Sequence, residues 1–296
     1  MNNSPAAALH TLVNPQNGHL LFKIFSFSDN GMFDHLQRLN YYTMLIVTEG
    51  SGELKADFTS YQFNGPALMC FAPYQPFLAD ARENFKGVAV NFHPDFFCIH
   101  KHHREVSCNG VLFNNIYKPP FHELDNTTLT QLLELTEQMK LELRDPALAQ
   151  YDMLISYLKI FLINASRSKM KQVTPVQQDE LARNEPTILQ QLKDAIETHY
   201  REKHAPAEYA HLLNITPKAL GKITKTHFNK TLTHLISERI VIEAKRELYL
   251  TSKPVKAIAW ELGFEDEFYF SRFFKTNADV SPQLYRETVG FAKAEA

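Results

Sequence analysis

The C-terminal third of the chain contains one unit twice, and this repeat restricts the fold more than any other feature. "YAHLLNITPKALGKITKTHFNKT" (209–231) aligns with "IAWELGFEDEFYFSRFFKTNADVS" (258–281). The offset is 49 through Ala210/Ala259, Leu213/Leu262 and Ile215/Phe264. It becomes 50 from Leu220/Phe270 through Lys225/Lys275, Thr226/Thr276, Asn229/Asp279 and Thr231/Ser281, so the second copy carries one extra residue in its turn. An offset this constant marks a duplicated supersecondary unit.

Each copy reads as helix, turn, helix. A small Ala and a Leu lie on the inner face of the first helix. The turn carries Asn214 or Gly263, the residue types that adopt a positive φ at least cost. The second helix is expected over 217–228 and 267–276. Its core residues fall at i, i+3: Leu220 and Ile223 in one copy, Phe270 and Phe273, with Phe274, in the other. Asn229 and Asp279 read as left-handed caps.

The opposite faces are different in kind. Lys218, Lys222 and Lys225 form a stripe in the first copy. Tyr269, Arg272 and Thr276 form one in the second, with Lys275 beside them. Residues 216–230 hold four lysines and no acid. A net charge of −2 for the whole chain makes no argument for nucleic acid, so the argument is local. A basic outer stripe on the second helix of a helix-turn-helix suits a major groove. For one copy alone, a solvated charged face explains the pattern as well. Two copies at a fixed offset favour nucleic acid. Segment 232–250 reads as one long helix of about 28 Å, which can hold two reading helices near the roughly 34 Å that separates successive major grooves.

These motifs resemble the DNA-binding domain of the AraC/XylS family of bacterial transcription regulators. The signature here is "IAWELGFEDEFYFSRFFKTNADVSPQLYRE", together with the first copy and "ERIVIEAKREL", about 100 residues in all. Asn229 and Asp279 stand where the family usually has Gly. The resemblance places Lys218, Gly221 and Lys222 at base-reading positions of the first unit, and Glu267, Phe268, Tyr269 and Arg272 at those of the second. Arg or Lys can read guanine, and Glu can accept from cytosine N4. Lys225 and Lys275 are expected at phosphate.

Residues 20–92 read as short strands at close spacing, a small barrel or a sandwich. From about 125 the period becomes helical. Leu129, Leu132, Leu133, Met139 and Leu143 mark one helix, and Asp145-Pro146 breaks it. Tyr151, Leu154, Leu158, Phe161, Leu162 and Ala165 mark a second, giving a helical hairpin. The same family often carries a cupin-like barrel and a dimerisation hairpin ahead of its DNA-binding domain. Here "TEGSGE", "FAPYQPF" and "GVAVNFHPDFF" carry that weaker resemblance. The expected fold is therefore α+β: an N-terminal cupin-like β-barrel plus a helical hairpin, and a C-terminal all-α domain with two helix-turn-helix units. The expected boundaries are 1–125 for the barrel, 126–168 for the hairpin, 169–186 for the linker and 187–296 for the DNA-binding domain.

Metal-binding cupins place paired histidines after the glycine turn, and this chain has Tyr41, Tyr42, Met44 and Ile46 in the corresponding stretch. A barrel holding an organic effector, or nothing, is expected, with no cofactor, no metal and no enzyme activity. Candidate effector-binding residues are Tyr42, Met44, Ile46, Phe71 and Tyr74, although alternation alone does not say which face is inside. The apolar stripe Tyr151, Leu154, Leu158 and Phe161 is the expected homodimer surface, or else it packs only within the hairpin.

His93, Cys98, His100, His102, His103 and Cys108 form a dense cluster. It reads as an exposed, locally basic helix with incidental imidazoles, with a soft-metal sensor or a thiol switch as alternatives. Three cysteines in no ribbon or redox spacing suit a reducing compartment, and no basic leader or long apolar run is seen. The expectation is a cytoplasmic bacterial transcription regulator with double-stranded DNA, a small-molecule effector and a second copy as partners, and no membrane; RNA polymerase is a further candidate. The competing classes are a metal- or thiol-responsive regulator using residues 93–108, a cupin-type enzyme fused to a DNA-binding module, and a helical repeat that binds protein.

Overall fold

A computed structural model describes residues 9–16, 18–29, 31–57, 59–106, 110–172 and 187–290. Most of the expected linker therefore lies outside the described residues. The chain divides into two compact units, one ending at Gln172 and one holding the C-terminal helices together with Ile116–Lys118.

The first unit is built on β1 (His10–Val13), β2 (Leu20–Phe27), β3 (Tyr42–Ala56), β4 (Thr59–Asn64), β5 (Ala67–Phe71), β6 (Phe77–Phe92) and β7 (Phe121–Glu123), with a short α1 (His103–Val106) before β7. The strand order is β1-β2-β6-β3-β5-β7, with β4 added on β3, and the registered pairs are antiparallel. The long strands β3 and β6 stay paired from Tyr42 opposite Phe92 to Ala56 opposite Phe77. Register shifts between Val47 and Gly52 interrupt that ladder. Such bulges bend a strand pair and increase its twist. As a result Leu45 and Val47 from one half of β3, and Leu54 and Ala56 from the other, join a single buried cluster with Phe25, Phe63, Phe71 and Phe77. The antiparallel sheet bends around this aromatic cluster.

Alternate residues on the same strands face the other way. Phe22, Ile24, Tyr42, Met44, Ile46, Val90 and Phe92 form a second cluster with α2 (Asn126–Arg144) and α3 (Gln150–Lys171). Asp125 caps α2, its carboxylate accepting from the Thr128 amide at 2.7 Å. The α3 helix runs past the expected hairpin boundary at 168. Leu154, Leu158 and Phe161 are completely buried in this cluster. The stripe expected to meet a second copy is thus buried within its own unit, in a cluster shared with α2 and the strands. The reason lies in the strands: "TMLIV" and "ALMCF" are apolar on both faces, and a sheet of that composition must be covered on both. The hairpin is the cover.

The second unit contains α4 (Thr187–His199), α5 (Pro206–Leu212), α6 (Pro217–Phe228), α7 (Leu232–Leu250), α8 (Val255–Glu261), α9 (Glu267–Ala278) and α10 (Pro282–Val289). The central α7 packs against α4, α6, α8, α9 and α10. It buries Leu235, Ile236, Ile240, Ala244 and Leu248. Among the described residues no helix is long and apolar enough to cross a membrane.

Candidate nucleic-acid interface

Helices α5 and α6 form one helix-turn-helix, and α8 and α9 form the other. Their turns are built alike. The Ile215 amide donates to the Ala210 carbonyl at 3.0 Å, and the Phe264 amide to the Ala259 carbonyl at 2.9 Å. Asn214 and Gly263 hold φ values of 52° and 79°. A Cβ on Gly263 would strike the Arg201 carbonyl oxygen, so close backbone approach as well as φ requires glycine there. The second helices start on side-chain caps. Thr216 accepts from the Ala219 amide at 3.2 Å, and Asp266 accepts from the Phe268 and Tyr269 amides at 3.0 Å each. They end at Asn229 and Asp279, with φ of 54° and 62°. Thr231 and Ser281 then cap α7 and α10. The repeat seen in the sequence is thus a repeat of turns and caps.

The inner faces use i, i+4 rather than the expected i, i+3. Leu220 and Thr224 are buried in α6, as are Phe270 and Phe274 in α9, while Ile223 and Phe273 are only half-buried. At 100° per residue, two positions 4 apart lie closer on a helix than two positions 3 apart. Thr224 satisfies its hydroxyl by donating to the Gly221 carbonyl at 3.0 Å.

The outward faces carry the charge. Lys218, Lys222, Lys225, Arg272 and Lys275 are exposed. Among the described residues no carboxylate pairs with any of them; Lys225 donates to the Asn229 carbonyl at 3.3 Å. Phe268 and Tyr269 are 74% and 56% exposed. Two large rings in water at the start of a helix suit contact with base edges, including thymine methyl groups. Glu267 is half-exposed beside them. Gly221 lies inside α6, and a Cβ added there would meet nothing within 4 Å. Glycine in a helix interior costs about 1 kcal/mol relative to alanine, and nothing in the described protein requires it.

Behind these faces, charge is fully paired. The buried Glu243 of α7 accepts from Arg201 at 2.9 Å, Arg239 at 3.3 Å and Arg246 at 2.8 Å. Burial pushes its carboxyl up, but Arg239, Arg246 and Arg201 outweigh this and hold it below the usual carboxylate range. Arg239 also stacks on the Tyr200 ring at 3.9 Å and bonds Glu197 at 2.7 Å. The network locks α4 and the approach to α5 onto α7.

Two helix-turn-helix units with capped, cationic, outward-facing second helices define a DNA-binding domain. It is a helix-turn-helix domain of the AraC type, and the matching family, described as a helix-turn-helix domain, covers residues 209–288. RafR, the raffinose operon transcriptional regulatory protein of Pediococcus pentosaceus, is 32% identical over 83 residues, 28% of this chain and 30% of that protein. The transcriptional activator RhaS of Citrobacter koseri is 25% identical over 172 residues, 57% of this chain and 58% of that protein. The chain thus spans less than two thirds of each of these relatives. Among solved structures, the C-terminal domain of AraT from Geobacillus stearothermophilus shares 26% identity over 38% of this chain and 92% of that chain, with a TM-score of 0.36. An apo form of ToxT from Vibrio cholerae shares 13% identity over 98% of this chain and 99% of that chain, with a TM-score of 0.39.

The other expected site residues divide. Of the five effector candidates, Phe71 lies in the barrel interior. Tyr74 stands beyond the end of β5, with φ of 54°. Tyr42, Met44 and Ile46 lie on the outer face, under α2 and α3, because successive strand residues alternate faces and the register puts the even-numbered ones outward. Of the dimerisation candidates only Tyr151 is exposed, at 41%, and its hydroxyl donates to the Phe96 carbonyl at 3.1 Å. Met153, Ile160 and Met170 of α3 are exposed apolar residues besides Tyr151, and Tyr157 is half-buried.

The histidine and cysteine cluster does not converge. His93 and Cys98 are buried, His102 stacks on Phe97 and pairs with Glu105 at 2.9 Å, and Cys108 lies outside the described residues. Among the described residues no three His, Cys, Asp or Glu side chains form a group that could hold a metal. Sequence reading passed over Lys23, Thr43 and Asn91 of the barrel. The available signal was a lysine inside the apolar strand "LLFKIFSF".

Proposed function

We propose that the chain is a sequence-specific transcription regulator of the AraC type. In this reading it acts in the cytoplasm as a homodimer, has no catalytic role, and is controlled by a small organic molecule held in the N-terminal barrel. One observation carries the DNA-binding part: exposed cations stand at matching places on α6 and α9 without a carboxylate partner. In the reading, α6 and α9 enter successive major grooves of one DNA face. Arg272 takes guanine O6 and N7, Glu267 accepts from cytosine N4, and Phe268 and Tyr269 meet thymine methyls. Lys225 and Lys275 hold phosphates. RafR and RhaS, by their names, regulate transcription, and for an activating outcome RNA polymerase is the further partner.

Dimerisation falls to the outward stripe Met153, Tyr157 and Ile160, at i, i+4 and i+7 of α3. These positions share one helical face, on which Met153 and Ile160 are exposed while Tyr157 packs partly against the core.

The deciding experiment is binding-site selection from random DNA with the full chain. Arg272→Ala should weaken specific binding by about 1–3 kcal/mol and relax preference at one base pair. Lys275→Ala should weaken binding to all sites alike and reduce the salt slope by about 1. An unchanged site profile for Arg272→Ala would remove α9 from the readout.

A further inference from the structure

Four residues on adjacent strands form one lateral row inside the barrel. Lys23 of β2 stands opposite Asn91 of β6. Asn91 stands opposite Thr43 of β3, and Thr43 opposite Phe71 of β5. All four share the strand face of Phe25, Leu45, Met69 and Ala89, which is the interior. Directly opposed side chains have Cβ atoms about 5 Å apart. Three polar residues thus stand side by side next to a cluster made mainly of phenylalanine and aliphatic groups.

Two of their oxygens are buried and unused among the described residues. Thr43 is 1% exposed and Asn91 is 5% exposed. Among the described residues neither the Thr43 hydroxyl nor the Asn91 side-chain carbonyl has a hydrogen-bond partner. The Lys23 ammonium lies over the Phe25 ring at 4.5 Å, and among the described residues it pairs with no carboxylate. Burial lowers its pKa. A buried polar atom left unpaired destabilises a fold, whereas an apolar group of the same shape does not. The sheet keeps two such groups together, with Lys23 beside them. The Phe71 ring, stacked on Phe77 at 3.8 Å, closes the row with a flat apolar wall.

We infer that this row is a ligand site for a small hydroxylated carboxylate. The carboxylate sits on the Lys23 ammonium. One ligand hydroxyl donates to the Asn91 carbonyl, and another exchanges a hydrogen bond with Thr43. The carbon skeleton lies against Phe71. Tyr41, two residues ahead of Thr43, and Tyr74 flank the same end of the barrel: burial, and then Tyr74, raise the Tyr41 hydroxyl. The consequence for DNA binding rests on the effector-controlled reading above; the site itself does not.

The test uses the full chain, with thermal melting and calorimetry. The probes are galacturonate, glucuronate, gluconate and tartrate, each beside its neutral counterpart galactose, glucose, glucitol or threitol, and acetate as the bare carboxylate. At least one hydroxylated carboxylate should raise the melting temperature by several degrees while its neutral counterpart and acetate do not. Lys23→Met and Asn91→Leu should each weaken that binding by about tenfold or more. Thr43→Val should melt at the same temperature as the unliganded wild type or higher, and should lose the response. The inference is overturned if no carboxylate stabilises the chain, or if neutral counterparts act equally. It is also overturned if unliganded Thr43→Val melts several degrees lower, since the hydroxyl then serves the fold.

Selected DNA sites separate this inference from effector control. A carboxylate that binds through Lys23 but leaves DNA affinity unchanged keeps the site and removes the control. A neutral molecule that alters DNA affinity equally in wild type and Lys23→Met keeps the control and removes the site.

Discussion

Asn214 and Gly263 occupy the same place in the two helix-turn-helix units, both at positive φ, and Gly263 also abuts another backbone, at the Arg201 carbonyl. Gly263→Ala should therefore destabilise the C-terminal unit by at least about 2 kcal/mol, combining left-handed strain with a clash. Asn214→Gly should change stability by no more than about 0.5 kcal/mol, because glycine accepts this conformation freely but adds unfolded-state entropy. Urea unfolding followed by the single tryptophan, Trp260 in α8, measures both. Equal effects at the two positions would show that the close approach of Gly263 to Arg201 adds no constraint.

Gly221 gives a prediction with two opposite signs. Alanine there meets nothing within 4 Å, so Gly221→Ala should stabilise α6 by about 0.5–1 kcal/mol. The same methyl should obstruct close approach to a base edge and lower DNA affinity on the order of tenfold, 1.4 kcal/mol. A variant that is more stable and binds as well as wild type would take Gly221 out of the interface.

The Glu243 network makes stability depend on pH. Its folded carboxyl lies below its unfolded value. The contribution is therefore fully present above the unfolded pKa of about 4.3, and is lost as pH falls through the lower folded pKa. Removing the anion leaves three guanidinium groups facing one another. Glu243→Gln should cost about 3 kcal/mol at pH 7, and the gap between wild type and variant should close in acid. Urea midpoints between pH 7 and pH 3 measure it. A gap that is constant across this range would mean that Glu243 contributes packing only.

Leu158 and Ile160 separate core from interface. Leu158 is fully buried and Ile160 is 47% exposed. Leu158→Glu should abolish the cooperative melt of the N-terminal unit, because an unpaired charge enters the core. Ile160→Glu should keep that melt and sediment as a monomer. Dimers that persist in Ile160→Glu would move the interface elsewhere, and a wild type already monomeric at micromolar concentration would remove it.

The sequence alone determined the C-terminal unit because everything that defines it is local. Turn residues at positive φ, caps such as Thr216, Asp266, Thr231 and Ser281, and the basic stripes all act within one or two helical turns. Helical period assigns an outer face without further information, so the exposed cations follow from residue spacing alone. The inner face was off by one residue at Ile223 and Phe273, because a short helix tolerates either spacing until its neighbour is in place.

The N-terminal unit was decided only by tertiary structure. A period of two divides a strand into two faces but does not say which is inside, and here both faces are buried. That choice sent Phe71 inward and Tyr42, Met44 and Ile46 outward. A helical stripe likewise shows that Leu154, Leu158 and Phe161 must be covered, but not by what. The core shared by the strands and α2 covers them, while Met153 and Ile160 stay exposed on the other side of the helix. Lys23, Thr43 and Asn91 are far apart in sequence and meet only through the register of β2, β6 and β3, a non-local pairing that no window of the chain contains.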